Sequence, residues 1–411
     1  MSDSFRIGVL GHGTVGSAFA RLLEDRAGAI EALTGRRPEV GGVLTRSRGD
    51  AAEIIEGSDL IVEVLGGTEP ARELVLSALS AGKHVVTANK QLLSRHGDEL
   101  WAAARESGAQ LRFEAAVGGV VPVIRVLSES LAGAHVERVH GIVNGTTNFI
   151  LTRMAETGAP YADALAEAQR LGFAEADPTD DVSGADAAAK MAILARLAFD
   201  TPVSFDEVGY EGIEQVTADD LAYAASLGLS LKLIGTAERV PHPDGGEGIS
   251  VRVHPAFLYG GHPLASCGGS FNAVTIESPA ITEITISGPG AGGSQTASAV
   301  LGDVVAAMQP RRPTPEPSQR LPIVADVTAA YYLHVEVDDR PGVLAELAQV
   351  LGLQAISVKS FVQEGQGSQA QLSMVLHPVL ESRLTAAIEL IDGLEPVRSR
   401  PRAIRVIEEQ F

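Results

Sequence analysis

Two rhythms of apolar and polar positions divide the first part of the chain. Phe5–Leu10 is a short apolar run that stops at glycines, and from Ser17 to Glu24 the apolar positions fall at helical spacing. Strand, glycine turn and helix therefore stand in that order. Val40–Leu44 predicts a second strand, Asp59–Leu65 a buried parallel strand, Glu69–Ala81 a helix, and His84–Thr87 and Leu111–Ala115 two further strands. Strands this apolar, alternating with helices, predict a parallel sheet covered on both faces.

The pattern then changes. Val136–Val143 alternates like a strand with one wet face, and Ile249–Val253 and Val274–Ile276 read as strands as well. Between them, Gly172–Lys190 is loop in its first half and the start of an alanine-rich helix, reaching Ala198, in its second. Ser294–Met308 predicts another helix. Gln309–Pro322 carries Pro310, Pro313, Pro315, Pro317 and Pro322 among polar residues, the composition of a semi-rigid linker. Beyond it come strand Tyr331–Val337, helix Gly342–Leu351, strands Ile356–Gln363 and Gln371–His377, helix Glu381–Ile391 and strand Ala403–Ile407. That order is βαββαβ, a ferredoxin-like module.

A length of 411 residues implies two or three domains, and 45% hydrophobic residues are enough for a sizeable core. The formal net charge of -20 excludes general affinity for nucleic acid, since phosphates would be repelled. A single cysteine excludes an internal disulfide and fits a reducing compartment. The start, Met-Ser-Asp-Ser-Phe-Arg, runs directly into a strand, and no apolar run is long enough to span a bilayer. A cytoplasmic location without membrane contact is expected.

Chemistry concentrates at a few places. Gly11-His12-Gly13-Thr14-Val15-Gly16 joins the first strand to its helix. Gly11 permits the tight turn, Gly13 lets backbone approach a pyrophosphate, and Gly16 lets helix and strand pack closely, so a dinucleotide would lie on the helix N-terminus. The second strand ends in Thr45-Arg46-Ser47-Arg48, with two arginines where an acid would hold the ribose 2'-hydroxyl of NAD. This favours NADP, with Arg46 and then Arg48 on the 2'-phosphate and NAD as the alternative. Lys90 follows the fourth strand at the end where open sheets bind ligands. The stretch from Gly172 holds Glu175, Asp177, Asp180 and Asp181, then Asp186 and Lys190 one helical turn apart. A surface ion pair at an acid-rich helix start explains that spacing as well as a polar-substrate site does.

Order and identity decide more than spacing. Ala168, Gly172, Asp177-Pro178, Asp181-Val182, Gly184, Asp186 and Lys190 resemble the signature of homoserine dehydrogenases, as do Thr87-Ala88-Asn89-Lys90 and Gly141-Ile-Val-Asn-Gly-Thr-Thr-Asn-Phe-Ile-Leu151. The resemblance implies reversible NAD(P)-dependent interconversion of L-homoserine and L-aspartate 4-semialdehyde. By it, Lys190 is the acid/base with Lys90 its rival, Glu175 holds the substrate ammonium, Asp180 and Asp186 complete the polar pocket, and Gly172 lets backbone approach the ligand. It also implies a monovalent-cation site, such as sodium, on Glu114, Val117, Gly119 and Val121, and Gly292 of the turn Gly288–Gly293 against the cofactor. Asp338–Leu344 resembles the hallmark of ACT domains, which implies an amino-acid effector, threonine, and Pro341 suits the first helical position.

The expected class is thus α/β, with a Rossmann-type domain over residues 1–130 to which 293–308 returns. A substrate-binding α+β domain with an open sheet follows over 131–292, then a linker over 309–325 and an ACT domain over 326–411. Homodimer or homotetramer assembly is expected, without a fused aspartate kinase. Two other classes stay open: a phosphorylating aldehyde dehydrogenase using Cys267, and a noncatalytic NADP-binding amino-acid sensor. Cys267 itself reads better as a small buried residue.

Overall fold

The computed structural model describes residues 4–310, 317–365 and 370–407. Pro313 and Pro315 of the expected linker lie outside the described residues. The first sheet is built from β1 (Ser4–Leu10), α1 (Thr14–Thr34), β2 (Arg37–Leu44), α2 (Ala51–Glu56), β3 (Leu60–Glu63), α3 (Ala71–Ser80), β4 (His84–Thr87), α4 (Lys90–Ser107) and β5 (Leu111–Arg112). Its order is β2-β1-β3-β4-β5 with every pair parallel, so all five carboxyl ends share one edge. The apolar runs are where they are because Ile7, Val9, Leu60, Ile61, Val62, Val85 and Val86 are fully buried between layers. α1 buries Phe19, Leu23, Ala27 and Ile30 at helical spacing and ends at Gly35. It runs past Glu24 because Ala27 and Ile30 continue the buried stripe.

The middle of the chain contains α5 (Val123–Arg125), β6 (Arg138–Ile142), α6 (Gly145–Thr157), α7 (Tyr161–Leu171), α8 (Thr179–Val182), α9 (Ala185–Phe199), β7 (Gly209–Tyr210), α10 (Ala218–Ser226), β8 (Leu229–Pro241), β9 (Glu247–Tyr259), β10 (Phe271–Ser278), β11 (Thr282–Pro289) and α11 (Gly293–Ala307). α9 is buried almost all round, and its alanines let it lie close to the sheet. A Cβ on Gly235 of β8 would come 2.4 Å from Met191 of that helix. α11 leaves this region and packs in the same core as β1 and α1.

The carboxyl-terminal elements are β12 (Thr328–Val337), α12 (Val343–Leu353), β13 (Val358–Glu364), β14 (Ala370–Leu380), α13 (Glu381–Asp392) and β15 (Arg402–Ile407), in strand order β15-β12-β14-β13. They do not form an isolated sheet. β15 pairs in parallel with β9, Arg405 opposite Ala256 and Ile407 opposite Leu258, so one mixed sheet of ten strands runs from β11 to β13. Three local expectations are corrected. Pro341 is not the first helical residue, because Gly342, at φ 101°, caps α12 and the helix starts at Val343. β13 starts at Val358 rather than Ile356, since Ala355 at φ 56° turns the chain first. The acidic stretch is not loop up to Gly184, because Thr179–Val182 closes a helical turn behind Pro178. Among the described residues no helix is long and apolar enough to cross a membrane.

Candidate active site

The glycine turn has the geometry its spacing predicts. Gly11 sits at φ 105°, and a Cβ there would come 2.6 Å from the Val64 carbonyl oxygen; one on Gly16 would come 2.1 Å from the Gly11 carbonyl oxygen. Nothing lies within 4 Å of a Cβ on Gly13. Turn and helix are thus locked together while the middle glycine faces open space. Gly13 caps α1 without a side-chain bond, leaving the first-turn N–H groups of Thr14 and Val15 toward that space. Gly292, at φ 128°, starts α11, and the neighbouring Gly293 lies against the Thr14 side chain. Arg46 and Arg48 are exposed at the end of β2. Glu63, which sequence reading missed, is fully buried and accepts from the Leu65 N–H (2.8 Å) and the Thr87 hydroxyl. Burial above all pushes its carboxyl up.

Lys90 opens α4 on the same edge of the sheet, and Asn89 caps that helix. The Asn89 amide also donates to the Gly67 carbonyl (2.6 Å), tying the lysine's position to the turn after β3. Facing it is the start of α9. Gly184, at φ 88°, makes the turn into the helix, and a Cβ there would approach the Glu211 carbonyl oxygen at 3.0 Å. Asp186 follows in the first turn with its side chain 5% exposed. Its Oδ1 lies 2.9 Å from Lys90 Nζ, and its Oδ2 accepts from Lys190 Nζ (2.6 Å) and from the Asn144 amide (2.7 Å). Lys190 also donates to the Val143 carbonyl (2.7 Å). Two ammonium groups thus share one buried carboxylate.

The electrostatics follow. Burial is the largest influence on Asp186 and raises its pKa, but the Lys190 and Lys90 charges together overcome it and hold the carboxylate well below its usual range. The Asp186 charge in turn raises the Lys90 pKa, against burial. Asn144, the cap of α6, donates its second amide proton to Asp181 (2.7 Å). Burial, with the Asp186 charge, pushes the Asp181 carboxyl up. A cluster with two fixed ammoniums and one proton-accepting carboxyl can hold a zwitterion and place a proton on a developing oxyanion.

Lys190, Lys90 and Asp186 therefore come together. Asp180 is exposed, accepts from the Gln91 amide at 3.4 Å and acts on Lys90 through its charge, while its neighbour Asp181 joins the network directly. Glu175 stands exposed on the loop before α8, where its backbone carbonyl accepts from Gln169 (3.1 Å). Gly172 is the left-handed C-cap of α7, at φ 80°. Asn144 and Asp181 both fall in the stretches that carry the resemblance, but neither was given a role of its own: from the residues alone Asn144 reads as a helix cap and Asp181 as one of two adjacent acids. Glu114 is buried, with its carboxylate accepting from the Ile124 (2.9 Å) and Arg125 (3.0 Å) N–H groups. Burial and then Asp303 push its pKa up to about 7. Gly118 and Gly119, both at positive φ, carry the chain past it toward Val121. Cys267 is half-buried between the Asn148 amide and the Phe271 carbonyl, and burial pushes its thiol up. That is the opposite of an activated nucleophile.

A glycine turn at the carboxyl edge of a parallel sheet, opposite a lysine–carboxylate–lysine cluster, defines a nicotinamide-dependent dehydrogenase. Comparison with known proteins makes this specific. A family model described as homoserine dehydrogenase matches residues 122–305, and one described as homoserine dehydrogenase, NAD binding domain, matches 11–114. The homoserine dehydrogenase of Corynebacterium glutamicum is 45% identical over 422 residues, covering 97% of this chain and 95% of its own. That of Mycobacterium tuberculosis is 42% identical over 427 residues, covering 97% of each. A crystal structure of a homoserine dehydrogenase from Thiobacillus denitrificans superposes with a TM-score of 0.93 at 38% identity, over 99% of both chains. A hyperthermophilic archaeal homoserine dehydrogenase in complex with NADPH gives 0.65 at 28% identity, over 76% of this chain and 100% of that one. The chain belongs to the homoserine dehydrogenase family, and its activity is that of an NAD(P)-dependent oxidoreductase.

Proposed function

We propose that the chain interconverts L-homoserine and L-aspartate 4-semialdehyde with Lys190 as the acid/base. The single observation carrying this assignment is the convergence of Lys190 and Lys90 on Asp186. An ammonium has three protons to donate, and two of those on Lys190 are committed, to Asp186 and to the Val143 carbonyl. The third is free to meet the substrate oxygen. In reduction that oxygen becomes an alkoxide and takes the proton; in oxidation the amine takes it back. Lys90, held charged by Asp186, stabilises the same oxygen electrostatically. Glu175 holds the substrate ammonium, and Asp180, with Asp181 beside it, completes the polar pocket.

The nicotinamide cofactor, when bound, supplies or receives the hydride. Its pyrophosphate fits the open space over Gly13 and the N–H groups of Thr14 and Val15, with Gly11, Gly16 and Gly292 bounding it. Arg46 and Arg48 supply the preference for NADP over NAD. A monovalent cation, as the resemblance implies, would be held by the Glu114 carboxylate and the carbonyls of Val117, Gly119 and Val121, and would neutralise a buried acid.

The βαββαβ elements act as an ACT module that takes threonine as a feedback effector, and the chain assembles as a homodimer or homotetramer. The test is NADPH oxidation with aspartate 4-semialdehyde, wild type beside Lys190→Ala, with and without millimolar threonine. Loss of turnover in the variant with cofactor binding retained supports the assignment. A silent wild type that still binds NADPH overturns it.

A further inference from the structure

Where β15 joins β9, a cavity of about 100 Å³ opens between the two halves of the long sheet. Arg138, Glu238, Arg252 and His254 reach it from β6, β8 and β9, and Arg405 reaches it from β15. Three guanidiniums line this one small space. Each is ion-paired, yet not every donor is met. Arg138 is held by Glu238 (2.9 Å) and Glu277 (3.0 Å), Arg252 by Glu238, and Arg405 by Glu381.

What remains are orphans. Among the described residues, Arg252 Nε, Arg405 Nη1 and His254 Nε2 are buried without a hydrogen-bond partner, and so is the phenol of Tyr331, which pairs in register with Arg405. Arg405 is 8% exposed and His254 6%. Buried polar groups are rarely left without a partner. The Nδ1 of His254 lies 3.2 Å from the Pro255 carbonyl, which places its proton there and leaves Nε2 as an acceptor. The unmet set is therefore two cationic N–H donors beside one neutral acceptor.

We propose that this seam binds a small oxyanion that carries its own hydrogen-bond donor, an α-amino acid or hydrogenphosphate. The oxyanion bridges Arg252 and Arg405, one from each half of the sheet, and the donor meets His254 and Glu238. An occupant there fastens the carboxyl-terminal strands to the strands beside the catalytic helix. It is separate from the Asp338–Leu344 segment, and its link to turnover rests on the regulatory reading above.

Hydrogen–deuterium exchange on the full chain tests it, with L-threonine, glycine, methylamine and inorganic phosphate each added at matched ionic strength. The expected result is protection of amides in 249–256 and 402–407 by threonine and glycine but not by methylamine, with affinity at least tenfold weaker in Arg405→Gln. Protection by phosphate alone keeps the site and assigns its occupant. Protection confined to 338–344, or by none of the additives, overturns the proposal and leaves water in the cavity. Should Arg405→Gln misfold, the wild-type exchange map and Arg252→Lys, which keeps the charge and removes the orphaned Nε, still decide. NADPH turnover without additive tests the dehydrogenase reading independently.

Discussion

Replacing Asp186 by asparagine keeps the shape of the side chain and removes the one charge that both lysines share. At 2.9 and 2.6 Å, and with an effective dielectric of about 20, each ammonium–carboxylate contact has a gross attraction of roughly 6 kcal/mol. Much of this is offset by the cost of burying the carboxylate at 5% exposure, and breaking such a pair leaves a net loss of about 3–5 kcal/mol. The two lysines then lose the charge they share and keep only the more distant attraction of Asp181 and Asp180. Lys190 retains the Val143 carbonyl but loses the contact that aims it, so kcat should fall by about 10²- to 10⁴-fold while the KM for cofactor stays near wild type. A pH signature accompanies this. Because the Asp186 charge raises the Lys90 pKa against burial, its removal lets burial favour the neutral amine. The basic limb of kcat/KM should therefore move to lower pH. The assays are steady-state rates in both directions from pH 6 to 10 and a urea melt followed by circular dichroism. A variant with kcat within about threefold of wild type and an unchanged urea midpoint would refute the reasoning.

The two inner glycines of the turn should separate fold from binding. Gly16→Ala sets a Cβ 2.1 Å from backbone and should lower stability and cofactor affinity together, whereas Gly13→Ala, in open space, should fold normally and raise only the KM for NADPH. Arg46→Ala with Arg48→Ala should raise the KM for NADPH tenfold or more and leave that for NADH little changed, as paired steady-state titrations would show. Stability should fall in acid. Burial above all lowers His140 from 6.5 to about 3, so its contribution is complete above pH 6.5 and is lost as pH falls toward 3. Glu238 is held near 2 because Arg252 and Arg138 outweigh its burial, so its contribution is complete above pH 4.5 and is lost toward 2. Urea midpoints should decline from pH 6.5 downward, and His140→Gln should flatten the first part of that decline.

The parallel sheet was legible because both of its faces are covered, so its strands carry apolar runs such as Leu60-Ile61-Val62, and His84–Thr87 begins and ends where predicted. β8 was not. Its Lys232, Thr236 and Glu238 interrupt the apolar pattern, yet all three are buried, because polar groups from β6 and β9 and from the loop around Cys267 meet them there. The site stretch was legible as chemistry before it was legible as geometry. Asp180 and Asp181 differ by about 100° around a helical turn, and only the turn closed behind Pro178 determines which faces Asn144. Adjacent acids offer no such direction in sequence. The β15–β9 pairing was invisible for a different reason: it joins segments far apart in the chain, and the proline-rich stretch between them argues for separation.

That pairing changes what the carboxyl-terminal module can do. Were it tethered only by a linker, a ligand bound to it would have no contiguous route to Asp186. Instead, Arg402 of β15 donates to Thr217 (2.9 Å) and Asp220 (2.9 Å), the two residues that form the capping box of α10. Tyr332 of β12, fully buried, stacks on Tyr223 of α10 at 4.6 Å and leans on Phe257 of β9. α10 packs on α6, and the cap of α6 is Asn144, whose amide holds Asp186. Close packing resists gradual deformation, so a shift of β15 relative to β9 must be taken up as a discrete change in α10 or α6. A ligand moves that equilibrium only by as much as it prefers one arrangement. The seam between β9 and β15 lies on this route to Asn144, because the strand that carries Arg405 also carries Arg402.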